Sequence, residues 1–167
     1  MKLYIKQKVF SFRDKFTVKA ENEDDLYIAE GVLLSLGKQL HVYDMNGNAV
    51  AFIKQKLLSW MPRFVIEIGG QEVCEISQKF QFFGHNFNID GLTWHLDGDF
   101  WGHEYRLLNG GETIMRLSKK WFTWGDSYEM DISAAPEQEL LCLCIALAVD
   151  CALCVRNSGG VSISFSN

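Results

Sequence analysis

Apolar and polar positions alternate in short stretches along most of this chain, and near its C-terminal end the alternation gives way to an unbroken apolar run. Every residue from Leu140 to Val149 is apolar, and after Asp150 the character resumes with Cys151, Ala152, Leu153, Cys154 and Val155. Such a run is too long for one strand. Pro136 suits a first helical turn, where its missing N–H is not needed, and Glu137 and Glu139 sit favourably at the positive end of a helix dipole. The pattern predicts a helix over 136–156, roughly 30 Å long. A helix apolar on all sides either spans a membrane or fills the centre of a core. A span needs about 20 apolar residues without a charge near the middle, and Asp150 interrupts this one. The expectation is a core helix and no transmembrane span, with the preceding residues supplying the container.

Those residues repeat themselves. Ile5, Lys8, Phe12, Phe16 and Val18 recur at the same spacing as Ile53, Lys56, Trp60, Phe64 and Ile66. A third copy is Ile76, Lys79, Phe83, Phe87 and Ile89, and a fourth is Leu117, Lys120, Trp124, Tyr128 and Met130. The tails, such as Phe64, Ile66, Ile68 or Tyr128, Met130, Ile132, have the period of a strand. Turn-compatible residues occupy each centre: Arg13-Asp14, Met61-Pro62, Gly84-His85-Asn86 and Gly125-Asp126-Ser127. Each copy therefore reads as a hairpin: an aliphatic first strand, a short turn and an alternating second strand. Leu26 to Val42 has room for two more strands turning at Ser35-Leu36-Gly37, and Leu92 to Leu108 for another pair around Gly98 to Gly102. The total is 12 strands, too irregularly spaced for a solenoid and suited to an antiparallel meander. A barrel wider than about eight strands has an interior that must hold something. The predicted fold is mainly β: a closed antiparallel barrel of about 12 strands around a central apolar C-terminal α-helix. It forms one domain, with the barrel over 1–133, the helix over 136–156 and a short tail over 157–167.

Composition narrows the function classes. At 167 residues, 48% hydrophobic and 22% charged, the chain can bury a substantial core and does not read as disordered. Its start, Met1 to Lys8, carries charges where a secretory signal needs an apolar segment, so no such signal is expected. Four of the five cysteines fall in the helix, which favours a reducing, cytoplasmic setting over disulfides. A net charge of -5 argues against nonspecific nucleic-acid binding.

The chain resembles the LURP-one-related family, within the tubby C-terminal-like superfamily. The resemblance lies in Gln7-Lys8 and Gln55-Lys56 followed by an apolar pair and serine, in the stretch Lys119 to Ile132, and in the terminal helix around Leu140 to Asp150. It implies a 12-stranded barrel around a central C-terminal helix. Relatives in the superfamily include tubby, which binds phosphoinositides, and the phospholipid scramblases, whose long N-terminal extension and palmitoylation cluster are not evident here.

In an up-and-down barrel, equivalent residues of the four copies share one end. Lys8, Lys56, Lys79 and Lys120 would form a basic arc there, extended by Arg13, Lys15, Arg63 and Lys119, while Glu21, Glu23, Asp24 and Asp25 collect at the other end. With Phe12, Trp60, Phe83, Trp121 and Trp124 interleaved, the arc is a candidate for anionic phospholipid headgroups, aromatics at the interface and lysines on phosphates. The alternative is that the lysines only keep strand ends soluble and the aromatics cap the core. Asp97, Asp99, His95, His103 and Glu104 complete no calcium or zinc spacing, and Cys142-x-Cys144 with Cys151-x-x-Cys154 read as buried apolar packing. The histidines are scattered, no nucleophile motif occurs, and Gly69-Gly70 and Gly110-Gly111 precede strands, as hairpin turns do. No metal, cofactor or catalytic residue is expected. Asp150, in the apolar helix, is read as a structural anchor. The leading expectation is a non-enzymatic, cytoplasmic module associating peripherally with an anionic membrane or phosphorylated headgroup. The alternative is a protein-interaction or structural domain. A coherent basic patch favours the first, an exposed apolar patch the second, and an open pocket with converging polar groups an enzyme.

Overall fold

The computed structural model describes residues 1–7, 15–79, 86–100, 102–121 and 126–158. Twelve strands occur in chain order: β1 (Lys2–Gln7), β2 (Lys15–Ala20), β3 (Asp25–Gly31), β4 (Gln39–Asp44), β5 (Ala49–Gln55), β6 (Arg63–Ile68), β7 (Gln71–Lys79), β8 (Asn86–Asp90), β9 (Trp94–Asp99), β10 (Glu104–Asn109), β11 (Glu112–Trp121) and β12 (Asp126–Ile132). They form one sheet, each hydrogen-bonded pair antiparallel and consecutive in sequence except for β1 with β12. That pair brings Leu3 opposite Met130 and Ile5 opposite Tyr128. β8 and β9 lie side by side across the turn at 91–93 without a ladder among the described residues, so the barrel is nearly closed.

The alternation read from sequence becomes an inside and an outside. Phe16 and Val18 of β2, Leu40 and Val42 of β4, Phe87 and Ile89 of β8, and Tyr105 and Leu107 of β10 are buried, with their sequence neighbours turned outward. The chain then makes one 3-10 turn at Pro136–Gln138 and enters α1 (Glu139–Ser158). Pro136 opens the turn after an extended Ala135 that provides no side-chain cap. Leu141 to Val149 and Cys151 to Leu153 are all buried inside the barrel, closest to β6 and its neighbours β5 and β7. Ala146, Ala148, Cys151 and Ala152 are no more than 2% exposed, and their small size lets the wall approach the helix. By length and composition Pro136–Val155 would also serve to cross a membrane, but 67% of it is buried within the fold.

The two ends of the barrel differ. At one, β6 turns into β7 through Gly69-Gly70 and β10 into β11 through Gly110-Gly111, each glycine at positive φ as a two-residue hairpin requires. At the other, β3 joins β4 through residues 32–38 and β5 joins β6 through 56–62. Here the structure departs from the sequence reading. Leu57 to Trp60 does not extend the first strand of its hairpin, and Leu33-Leu34 lies beyond the end of β3; both stretches belong to projecting connections.

Candidate functional site

Because the strands alternate in direction, the C-terminal ends of β1, β3, β5, β7, β9 and β11 all face the same way. Lys56 just after β5, Lys79 at the end of β7 and Lys119 and Lys120 near the end of β11 therefore share that end with Lys15 and Arg63, which open β2 and β6. Lys8 and Arg13 lie outside the described residues, as do Phe12, Phe83 and Trp124. The basic groups are not all available. Glu75, on the outer face of β7 and 8% exposed, accepts from Lys56 Nζ and from Arg63 Nη1 at 3.3 Å. It faces Asp90 across the ladder, and the two cations offset that like-charge pairing. The bond to Glu75 raises Lys56 above the ordinary lysine range. Lys15 pairs with Glu30 at 2.5 Å, and Lys120 and Lys2 share Glu129 at 3.3 and 3.6 Å. Asp99 and Glu104 make the β9–β10 sector of the same rim acidic. At the opposite end Glu21, Glu23, Asp24 and Asp25 are exposed, and Lys19 reaches Asp25 at 2.6 Å.

The basic end also carries the most exposed large apolar side chains of the described residues. Leu34 is 105% exposed and Leu58 106%, with Trp60 at 96% and Leu36 at 80%. They belong to two connections that are copies of each other. Leu33-Leu34-Ser35-Leu36 matches Leu57-Leu58-Ser59-Trp60 position for position. The second leucine of each has a left-handed backbone, φ 58° at Leu34 and 63° at Leu58. In both, the serine hydroxyl donates to the carbonyl two residues on: Ser35 Oγ to Gly37 O at 2.7 Å and Ser59 Oγ to Met61 O at 2.6 Å. Val32 N donates to Gln39 O, and Lys56 N to Arg63 O, closing each connection at its base. The Gln55 side chain accepts from Lys38 N at 2.9 Å and ties one connection to the strand leading into the other. A left-handed backbone costs a leucine about 1–2 kcal/mol, a conformation that glycine or asparagine would take with less strain. Among the described residues no packing returns that cost at two side chains that stand fully in solvent.

Polar groups also gather where α1 leaves the barrel. The Tyr128 hydroxyl donates to Asp150 Oδ1 at 3.4 Å, Cys154 Sγ lies 3.9 Å from Asp150 Oδ2, and the Tyr105 hydroxyl donates to Ala146 O at 3.4 Å. Asp150 thus fastens the helix to β12. The His103 ring sits 5.1 Å from that of Tyr128, over a cavity of only about 10 Å³. That is at the lower limit of room for one water. An open groove of about 530 Å³ lies on the outer face of β9–β12. Its Asp97 is engaged by Arg106 at 2.7 and 2.9 Å. Asp99 accepts from Gly102 N at 3.1 Å within its own turn. Among the described residues no three histidine, cysteine or carboxylate side chains cluster as metal ligands would.

The sequence profile of the LURP-one-related family matches residues 1–150. The chain belongs to that family. A relative of this LURP-one-related protein, the uncharacterised YxjI of Bacillus subtilis, is 42% identical over 153 residues, covering 92% of this chain and 94% of that one. A protein of Arabidopsis thaliana, known from an X-ray structure, shares the fold with a TM-score of 0.60 at 9% identity, over 89% of this chain and 90% of that one. None of these descriptions indicates a catalytic activity.

The sequence reading of the LURP-one-related chain placed lysines and Trp60 at this end but passed over Leu34, Leu36 and Leu58. A signal for them was present. Leu33-Leu34-Ser35-Leu36 repeats the Leu57-Leu58-Ser59-Trp60 of the second copy, although the first lies in an inserted strand pair. Nothing local pointed to Glu75 as the shared partner of Lys56 and Arg63, because that contact depends on the β6–β7 register.

Proposed function

We propose that this LURP-one-related barrel is a non-enzymatic, cytoplasmic module that docks reversibly on an anionic phospholipid surface. The reading is carried by the placement of Lys56, Arg63, Lys79, Lys119 and Lys120 on one end, opposite the acidic turn at Glu21 to Asp25. A protein so polarised is steered end-on toward a negative surface despite its net charge of -5. The tubby-like resemblance, with its phosphoinositide-binding member, supports the same direction. The test is flotation with vesicles of phosphatidylcholine alone or with an equal part of phosphatidylserine, at low and high salt. The variant is K8Q/K56Q/K79Q/K120Q. Flotation with the anionic vesicles, weakened by the four changes in a protein that still unfolds cooperatively, is the expected result. A protein that floats with neither vesicle would rule the reading out.

A second reading has its own observation. The exposed Leu34, Leu36, Leu58 and Trp60 are also what a protein-binding surface presents, since aromatic and apolar anchors dominate interfaces. Concentration-dependent association of the purified chain, or a stoichiometric complex formed through these side chains, would favour it.

A further inference from the structure

We infer that the two leucine-tipped connections insert into the hydrocarbon edge of a lipid bilayer, with Leu34, Leu58, Leu36 and Trp60 entering it and the basic residues resting on the headgroups. This deepens the docking reading and rests on it, because it supplies the apolar half of a contact whose charged half is largely occupied.

Three observations carry it. The tips are prearranged: the paired serine bonds and the Lys38–Gln55 bond hold both connections in one conformation before any partner arrives. Binding through an ordered tip loses less conformational entropy than binding through a floppy one. The strain is also placed where an external apolar phase returns it. Two equivalent leucines keep a left-handed backbone and stand wholly in water, and backbone strain of this kind collects at sites that bind.

Finally, charge alone is insufficient. Lys15, Lys56, Arg63 and Lys120 already face Glu30, Glu75 and Glu129, so a phosphate must compete with an internal carboxylate for them. The occupant follows from shape and charge together. Neighbouring tips whose apolar side chains stand out in solvent suit a bilayer, which needs no matching pocket, whereas a folded partner would have to provide one. Tryptophan beside lysine and arginine is the side-chain set of a membrane interface. The connections 8–14, 80–85 and 122–125 lie outside the described residues. Their sequences hold Val9-Phe10-Ser11-Phe12, Phe82-Phe83 and Phe122-Thr123-Trp124.

The experiment compares the wild type, L34N/L58N and K56Q/K79Q/K120Q on phosphatidylcholine–phosphatidylserine vesicles at low and high salt. It also measures quenching of Trp60 by lipids brominated on their acyl chains, with W60F providing the background from the other tryptophans. Asparagine tolerates the left-handed backbone, so L34N/L58N remains folded. The expected result is at least a tenfold loss of partitioning for L34N/L58N at both salt concentrations, about 1.4 kcal/mol, with Trp60 quenched in the wild type. The lysine variant should lose binding mainly at low salt. If L34N/L58N floats as well as the wild type and Trp60 is not quenched, the insertion is wrong while headgroup docking stands. Failure of the wild type to float with any vesicle removes both. If it also self-associates, and L34N/L58N does not, the tips are an interface between copies and insertion is overturned.

Discussion

Leu34 and Leu58 hold φ near +60°, a conformation that asparagine adopts more readily than leucine because its short polar side chain can bond to the local backbone, and replacing each by asparagine removes no buried contact. Because asparagine recovers part of a cost of about 1–2 kcal/mol per site, and a domain of this size gains about 2–4 °C in Tm per kcal/mol, L34N/L58N should melt higher than the wild type. Differential scanning calorimetry checks this; an unchanged or lower Tm would mean that the leucines contribute to the fold. The same variant is expected to lose membrane partitioning, so stability and docking would change in opposite directions at two residues. The buried thiols make a different prediction. Burial pushes Cys74 and Cys142 up to about 12, and Cys144 is raised still further. In the unfolded chain a thiol ionises near its ordinary pKa of about 8.5. Below that pH both states keep the proton and the full stability is present. As pH rises from there toward 12, the unfolded chain releases protons that the folded chain retains, so stability falls by at most about 1.4 kcal/mol per pH unit for each thiol. Urea midpoints measured at about pH 8 and pH 10 should show the decline, and C142A, although less stable at both, should show a shallower one.

The helix is the element whose size the barrel wall is built around. Ala148 is fully buried between α1 and the strands, so Ala148→Leu forces extra volume into a filled space and should cost about 1–3 kcal/mol. Leu143→Ala leaves a cavity at an equally buried position and should cost about 2–5 kcal/mol. Chemical denaturation checks both, and a neutral A148L would mean that the wall yields around the helix. The helix was legible because its apolar run is too long for one strand, and the strand pairs because their apolar positions alternate and the aliphatic, lysine and aromatic spacing marked four hairpins in register. Pro136 and the apolar run fixed the start of the helix to within a turn. The connections were harder to read. Two consecutive leucines look like strand, and only the left-handed backbone at the second one sends them out of the sheet. The basic arc was half legible: strand parity put the lysines together, but long-range register decided that Glu75 and Glu129 would claim several of them. Asp150 stood out as a charge in an apolar helix, while its partner Tyr128, 22 residues away in sequence, was set by the β12 wall.

At the scale of the molecule, the barrel has a plain end with tight glycine turns and a dressed end with long connections, and α1 runs its apolar length between them. The proposed docking would set an orientation: the barrel axis would stand upright on the surface, and the exit of the helix near Asp150, Tyr128 and Cys154 would face the lipid. The location of that helix in the sequence has a consequence for how the chain is made. All twelve strands precede α1, and the ladder joining β1 to β12 links residues on either side of nearly the whole barrel sequence. On a ribosome, then, every wall strand emerges before the core that it must enclose. Local hairpins such as β6–β7 and β10–β11 can form as they appear, but their apolar faces stay uncovered until α1 arrives. Folding to the native state therefore waits for the helix, and until it arrives the exposed apolar strand faces are open to aggregation.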